Sequence, residues 1–93
     1  MVIEEKNISP TETLLYFPEP QPIRGTFYHT PSTSSNLPLL QNIAETNLAE
    51  TLLLTADFLY LQSTVPEGLD DLTAITLAEI DDFIAAAPAI QTA

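Results

Sequence analysis

Prolines decide where this chain can extend an element, because a residue that lacks an N–H and holds φ near −65° cannot continue a sheet ladder or a helix interior. Eight of them are spread over 93 residues, against only two glycines. Pro10 on one side and Pro18, Pro20 and Pro22 on the other enclose a strand predicted over Thr13–Phe17. A shorter strand is predicted before it, over Val2–Lys6. A third is expected over Ile23–His29, with Ile23, Gly25, Phe27 and His29 on one face and Arg24, Thr26 and Tyr28 on the other. Gly25 there marks a bulge or a close approach.

Thr30–Asn36 is a polar loop that offers caps to a helix predicted over Leu37–Glu45. Pro38 suits its first turn, where the missing N–H has no partner to lose. Leu52–Leu54 and Phe58–Leu61 flank Thr55-Ala56-Asp57 and read as a β-hairpin, although so much leucine would also suit a helix. Val65-Pro66-Glu67-Gly68 separates the hairpin from an amphipathic helix predicted over Leu69–Ala87. Its expected inner face is Leu72, Ile75, Ile80, Phe83, Ile84 and Ala87, with Asp70, Asp71, Asp81 and Asp82 opposite. Pro88 ends it.

The order β-β-β-α-β-β-α makes this an α+β domain, closed as an antiparallel or mixed sheet with two helices packed on one face. Residues 1–87 form one domain, because a second core would leave each half too small to close, and residues 88–93 read as a tail or linker.

Composition narrows the function. Thirteen Asp and Glu face only Lys6 and Arg24, a formal net charge of −11. Nucleic acid and anionic membrane are therefore not expected as partners, since binding them takes clustered cations. Without cysteine the chain has no thiolate for zinc or for an iron–sulfur cluster. The acidic start Met1-Val2-Ile3-Glu4-Glu5 is unlike the basic opening of a secretory signal, and no apolar run approaches the ~20 residues of a membrane span. A bacterial cytoplasm or an organelle matrix is the expected location.

No catalytic, cofactor or metal site is expected. His29, the sole histidine, reads as a structural or surface residue at a strand end. Ser32–Ser35 is loop chemistry without the flanking of a nucleophile elbow. The pairs Asp70-Asp71 and Asp81-Asp82 lack the alternating oxygen ligands of a calcium loop and read as a solvated helix face. Among the aromatics, Phe17, Phe27, Phe58 and Phe83 belong mainly to the core. Tyr16, Tyr28 and Tyr60 are the candidate partner-binding residues, because their hydroxyls require water or a partner and so belong at a surface, on the sheet face opposite the helices.

Several segments taken in order resemble the N-terminal domain of Nfu iron–sulfur scaffold proteins. Ser9-Pro10 followed by Leu15, Phe17 and Pro18 is similar to that family's Thr-Pro-Asn-Pro…Leu-x-Phe…Pro opening. Pro38-Leu39 stands where the family has its Ser-Pro-Leu-Ala helix start, Asp57-Phe58-Leu59-Tyr60-Leu61 resembles its Asp-Phe-Ile-Thr-Val strand, and Asp82-Phe83-Ile84 resembles the end of its last helix. Together they cover most of residues 2–86. The chain departs from the pattern at Leu48-Ala49, at Thr55-Ala56 and at Leu69, which replace a Gly-Val, a Gly-Pro and a Trp.

The family's cluster ligands are a Cys-x-x-Cys pair in a separate domain, so the resemblance implies an accessory role and no cluster on these residues. A non-enzymatic module that binds an iron–sulfur assembly or recipient protein is the first expectation. The rival is an acidic decoy or inhibitor that presents carboxylates to a basic protein surface. An enzyme with a carboxylate-held metal comes last.

Overall fold

The computed structural model describes residues 2–93. Its elements are β1 (Glu4–Ser9), β2 (Glu12–Tyr16), β3 (Ile23–Arg24), β4 (Phe27–His29), α1 (Pro38–Ala44), β5 (Ala49–Leu54), β6 (Phe58–Ser63), a 3-10 turn (Pro66–Gly68), α2 (Leu69–Ala85) and β7 (Gln91–Thr92). Five strands form one antiparallel sheet in the order β1-β2-β6-β5-β4. The α+β class and the two helices on one face are as the sequence predicts.

The first strand lies slightly later than expected, at Glu4–Ser9, and makes an edge. Glu4, Glu5 and Lys6 keep that edge charged, which discourages pairing with another chain. Its register shifts between Asn7 and Ser9, leaving Ile8 as the extra residue of a bulge. The predicted hairpin forms as β5 and β6. Thr55 makes its turn: the Thr55 backbone N–H donates to the Phe58 carbonyl at 2.9 Å, and Thr55 Oγ1 accepts from the N–H groups of Asp57 and Phe58, both at 3.2 Å.

The third predicted strand is two elements, not one. β4 joins the main sheet, while β3 pairs in parallel with β7 as a separate two-stranded sheet. The chain turns between them at Gly25, where φ is +80°. That conformation strains any L side chain, and an added Cβ would also lie 3.3 Å from the Cβ of Ala93. The tail is held on the other side of this contact: the Gln91 N–H donates to the Pro22 carbonyl at 2.8 Å and the Ala93 N–H to the Arg24 carbonyl at 3.0 Å.

Helix α1 starts with Pro38 in its first turn, as expected, but no side chain caps it. The loop serine nearest its start instead accepts from the N–H of Leu37, at Ser35 Oγ and 3.1 Å. Helix α2 ends two residues before the predicted limit, and Ala87 (φ 47°) then turns the chain toward Pro88.

The core is Leu15, Leu52, Leu54, Leu59 and Leu61 from the sheet, Leu39, Leu40 and Ile43 from α1, and Leu69, Leu72 and Ile80 from α2, closed by Ile23 and Leu37. The inner stripe of α2 differs from the expected one. Thr73 and Thr76 are buried in it, whereas Ile75 is only partly buried and Ala87 lies exposed beyond the helix. Spacings of three and four from Leu69 through Leu72, Thr73, Thr76 and Ile80 define the buried stripe. Both threonines fit there because their hydroxyls donate to carbonyls one turn back, Thr73 to Leu69 at 2.8 Å and Thr76 to Leu72 at 2.7 Å.

Candidate functional site: the open face of the sheet

Alternation along the strands divides the sheet into a covered and an open side. Thr13, Leu15, Leu52, Leu54, Leu59, Leu61 and Ser63 are buried toward the helices, and the residues between them point the other way. On the open side, register places Tyr28 opposite Leu53, Leu53 opposite Tyr60, Tyr60 opposite Leu14 and Leu14 opposite Lys6. One row of side chains thus crosses all five strands. The next row joins Phe58, Tyr16 and Glu4, and the one on the other side joins Thr51, Gln62 and Glu12.

All three tyrosines singled out in the sequence therefore share this face. Tyr28 and Tyr60 lie in one row, separated by Leu53, and Tyr16 lies in the adjoining row. Tyr28 is 50% exposed at the β4 edge. Tyr16 meets Phe58 edge-on, with ring centroids 6.3 Å apart and planes at 64°, a favoured aromatic arrangement. Phe58 is thus an open-face residue, whereas Phe17, Phe27 and Phe83 pack against the core as expected.

Glu12, Leu14 and Leu53 complete the surface, and sequence reasoning passed over them. The available signal was the alternation Glu12-Leu14-Tyr16, which puts these three opposite the buried Thr13 and Leu15. Glu12 is held from two sides. Its Oε2 accepts from the Tyr60 hydroxyl, 48 residues away, and its Oε1 accepts from Ser9 Oγ at 2.9 Å. Asn7 Nδ2 braces the same turn by donating to the carbonyls of Ser9 (2.9 Å) and Glu12 (3.2 Å).

These bonds move both pKa values. The hydrogen bond from Tyr60, then that from Ser9, lowers the Glu12 carboxyl below its ordinary value. Burial first, then the hydrogen bond to Glu12 and its charge, pushes the Tyr60 phenol up to about 12. A lowered carboxyl contributes stability that is lost as pH falls through its folded value, and a raised phenol contributes stability that is lost as pH rises through about 12. In an NMR titration the Tyr60 Cζ signal should move with a midpoint near 12. Glu12→Gln should bring that midpoint down only partway toward 10.0, since burial, the larger cause, remains. An unchanged midpoint would mean that the pair does not form in solution.

The remaining candidates are dispersed. His29 is half-buried on the helix side of β4, beside Ser34, Ser35, Gln41 and Glu45. Asp70, Asp71, Asp81 and Asp82 are exposed on α2, across the sheet from the tyrosines. Among the described residues no group of three or more His, Cys, Asp or Glu side chains could hold a metal ion, and no helix is long and apolar enough to cross a membrane. Compared with protein-family models, curated proteins and solved structures, the chain has no match in any of the three.

Proposed function

We propose that this chain is a non-enzymatic protein-interaction module that docks a cationic protein through its open sheet face, in the manner of an accessory domain for iron–sulfur assembly. The carrying observation is the cross-strand row Tyr28–Leu53–Tyr60–Leu14, with Tyr16 and Phe58 beside it, on a sheet side that neither helix covers. Aromatic rings on a rigid sheet supply large contact area at little conformational cost, which is why tyrosine is enriched among the residues that dominate interfaces. A net charge of −11 opposes self-association through this face and favours a partner of opposite sign.

The resemblance to the Nfu N-terminal domain supports the iron–sulfur context. In this chain its segments lie at the β1–β2 turn (Ser9-Pro10), at the start of α1 (Pro38-Leu39), at the turn into β6 and along it (Asp57–Leu61), and in the last turns of α2 (Asp82-Phe83-Ile84). On this reading the partner is an iron–sulfur assembly or recipient protein in a bacterial cytoplasm or an organelle matrix, and the chain carries no cofactor.

The exposed carboxylates of α2 favour the decoy as a second reading. Site-specific photo-crosslinking separates the two. A crosslinker at position 28 or 53 should capture the partner and one at position 71 or 82 should not; the reverse pattern would replace the docking module with the decoy.

A further inference from the structure

Glu12 and Tyr60 form a preorganised receptor for one kind of side chain, and this inference rests on the docking face proposed above. We propose that the partner anchors itself by an arginine, its guanidinium paired with the Glu12 carboxylate and lying over the ring of Tyr60, its aliphatic stem along Leu14.

Three observations carry it. First, Glu12 is the carboxylate that the open face fixes in place. Tyr60 and Ser9 each donate to a different oxygen, so the group is oriented before any partner arrives. A carboxylate has about four lone-pair sites, so roughly two remain for an incoming donor pair. The planar fork of arginine matches such a pair with two parallel N–H···O bonds, which a lysine ammonium cannot reproduce.

Second, the ring of Tyr60 adjoins this carboxylate, because its hydroxyl is the donor. A cation on Glu12 therefore lies close to an aromatic ring, and a guanidinium can stack on that ring while it pairs with the acid. Leu14 stands directly across from Tyr60 and offers apolar surface to the side-chain stem.

Third, charge selects the occupant. A second copy of this chain would bring another −11 and only Lys6 and Arg24 as cations. A heterologous basic protein gains both from the local pair and from the long-range field of the α2 carboxylates, which steer it from behind the sheet without touching it.

The test is an amide-shift titration of isotope-labelled protein with N-acetylarginine methylamide, alongside its neutral citrulline isostere. The arginine probe should move the amides of Glu12, Leu14, Tyr60 and Gln62 with a dissociation constant on the order of millimolar. The citrulline probe should bind at least about fivefold more weakly, and Glu12→Gln and Tyr60→Phe should each weaken the arginine probe by a similar factor. Equal binding of the two probes, or shifts confined to Asp70, Asp71, Asp81 and Asp82, would overturn the arginine anchor. If crosslinking from position 28 or 53 still captures a partner, the docking face survives that failure. If capture moves to α2, the docking face itself falls.

Discussion

Leu59→Ala should lower the free energy of unfolding by about 3 kcal/mol, within the ~2–5 kcal/mol range for emptying a packed leucine site. Leu59 is on β6, the central strand of five, with no exposed surface. It faces the helices between Leu15 on β2 and Leu54 on β5, both also fully buried, so no neighbour can fold inward from solvent to fill the gap. A chain of this length buries roughly 60–65% of its unfolded surface and holds about 5–10 kcal/mol of net stability. Loss of about 3 kcal/mol would therefore lower the unfolding temperature by on the order of 10–25 °C. Asp81→Ala on the exposed side of α2 is the control and should stay within about 0.5 kcal/mol of wild type. A Leu59→Ala cost under about 1 kcal/mol in denaturant unfolding would contradict the assigned register, since a one-residue slip would put Leu59 on the open face.

The parts of this fold that were legible in the sequence are those fixed by local chemistry. Pro10 and Pro18 follow β1 and β2 where a missing N–H cannot extend a ladder, and Pro38 and Pro66 start α1 and the 3-10 turn, where that N–H has no partner to lose. The hairpin at Thr55–Asp57 was visible as two apolar runs around a polar turn. The split of Ile23–His29 into β3 and β4 was hidden, because the period-two pattern of those residues suits one strand equally well. Gly25, already marked as a bulge or close approach, breaks it with its positive φ, and the strand that draws β3 out of the main sheet, β7, lies at the far end of the sequence. Likewise, Thr73 and Thr76 look polar in a composition-based stripe, yet a helix satisfies their hydroxyls internally and frees their methyl groups to pack.

The candidate site divides in the same way. Tyr16, Tyr28 and Tyr60 could be picked out because each carries a hydroxyl that a closed core would leave unpaired. Alternation along β2 could put Glu12 on the same face as Tyr16, but nothing set it apart from the other twelve acids until strand pairing brought it to Tyr60. Its distinction is topological: β2 and β6 are neighbours in the sheet although more than 40 residues separate them in the chain.

Replacing Tyr16, Tyr28 and Tyr60 together by alanine has the largest effect expected on function. Truncating an interface anchor typically costs about 2 kcal/mol or more, and even with strong non-additivity three of them should weaken the partner at least about 100-fold. None of the three belongs to the buried core, so the sheet and its helices should persist, with some loss of stability from the Tyr16–Phe58 contact and the Tyr60–Glu12 bond. The companion variant, with Asp70, Asp71, Asp81 and Asp82 changed to asparagine, removes charge from the opposite side of the sheet. It should slow association and cost less than about tenfold in affinity, because those acids steer the partner without touching it.

The decisive measurement is calorimetric titration of the crosslink-identified partner into wild type and these two variants, with amide spectra verifying that each is folded. Affinity lost with the tyrosines and largely kept without the α2 carboxylates is the predicted result. A folded triple-tyrosine variant that binds as tightly as wild type would contradict the assignment of the open sheet face as the working surface of this protein.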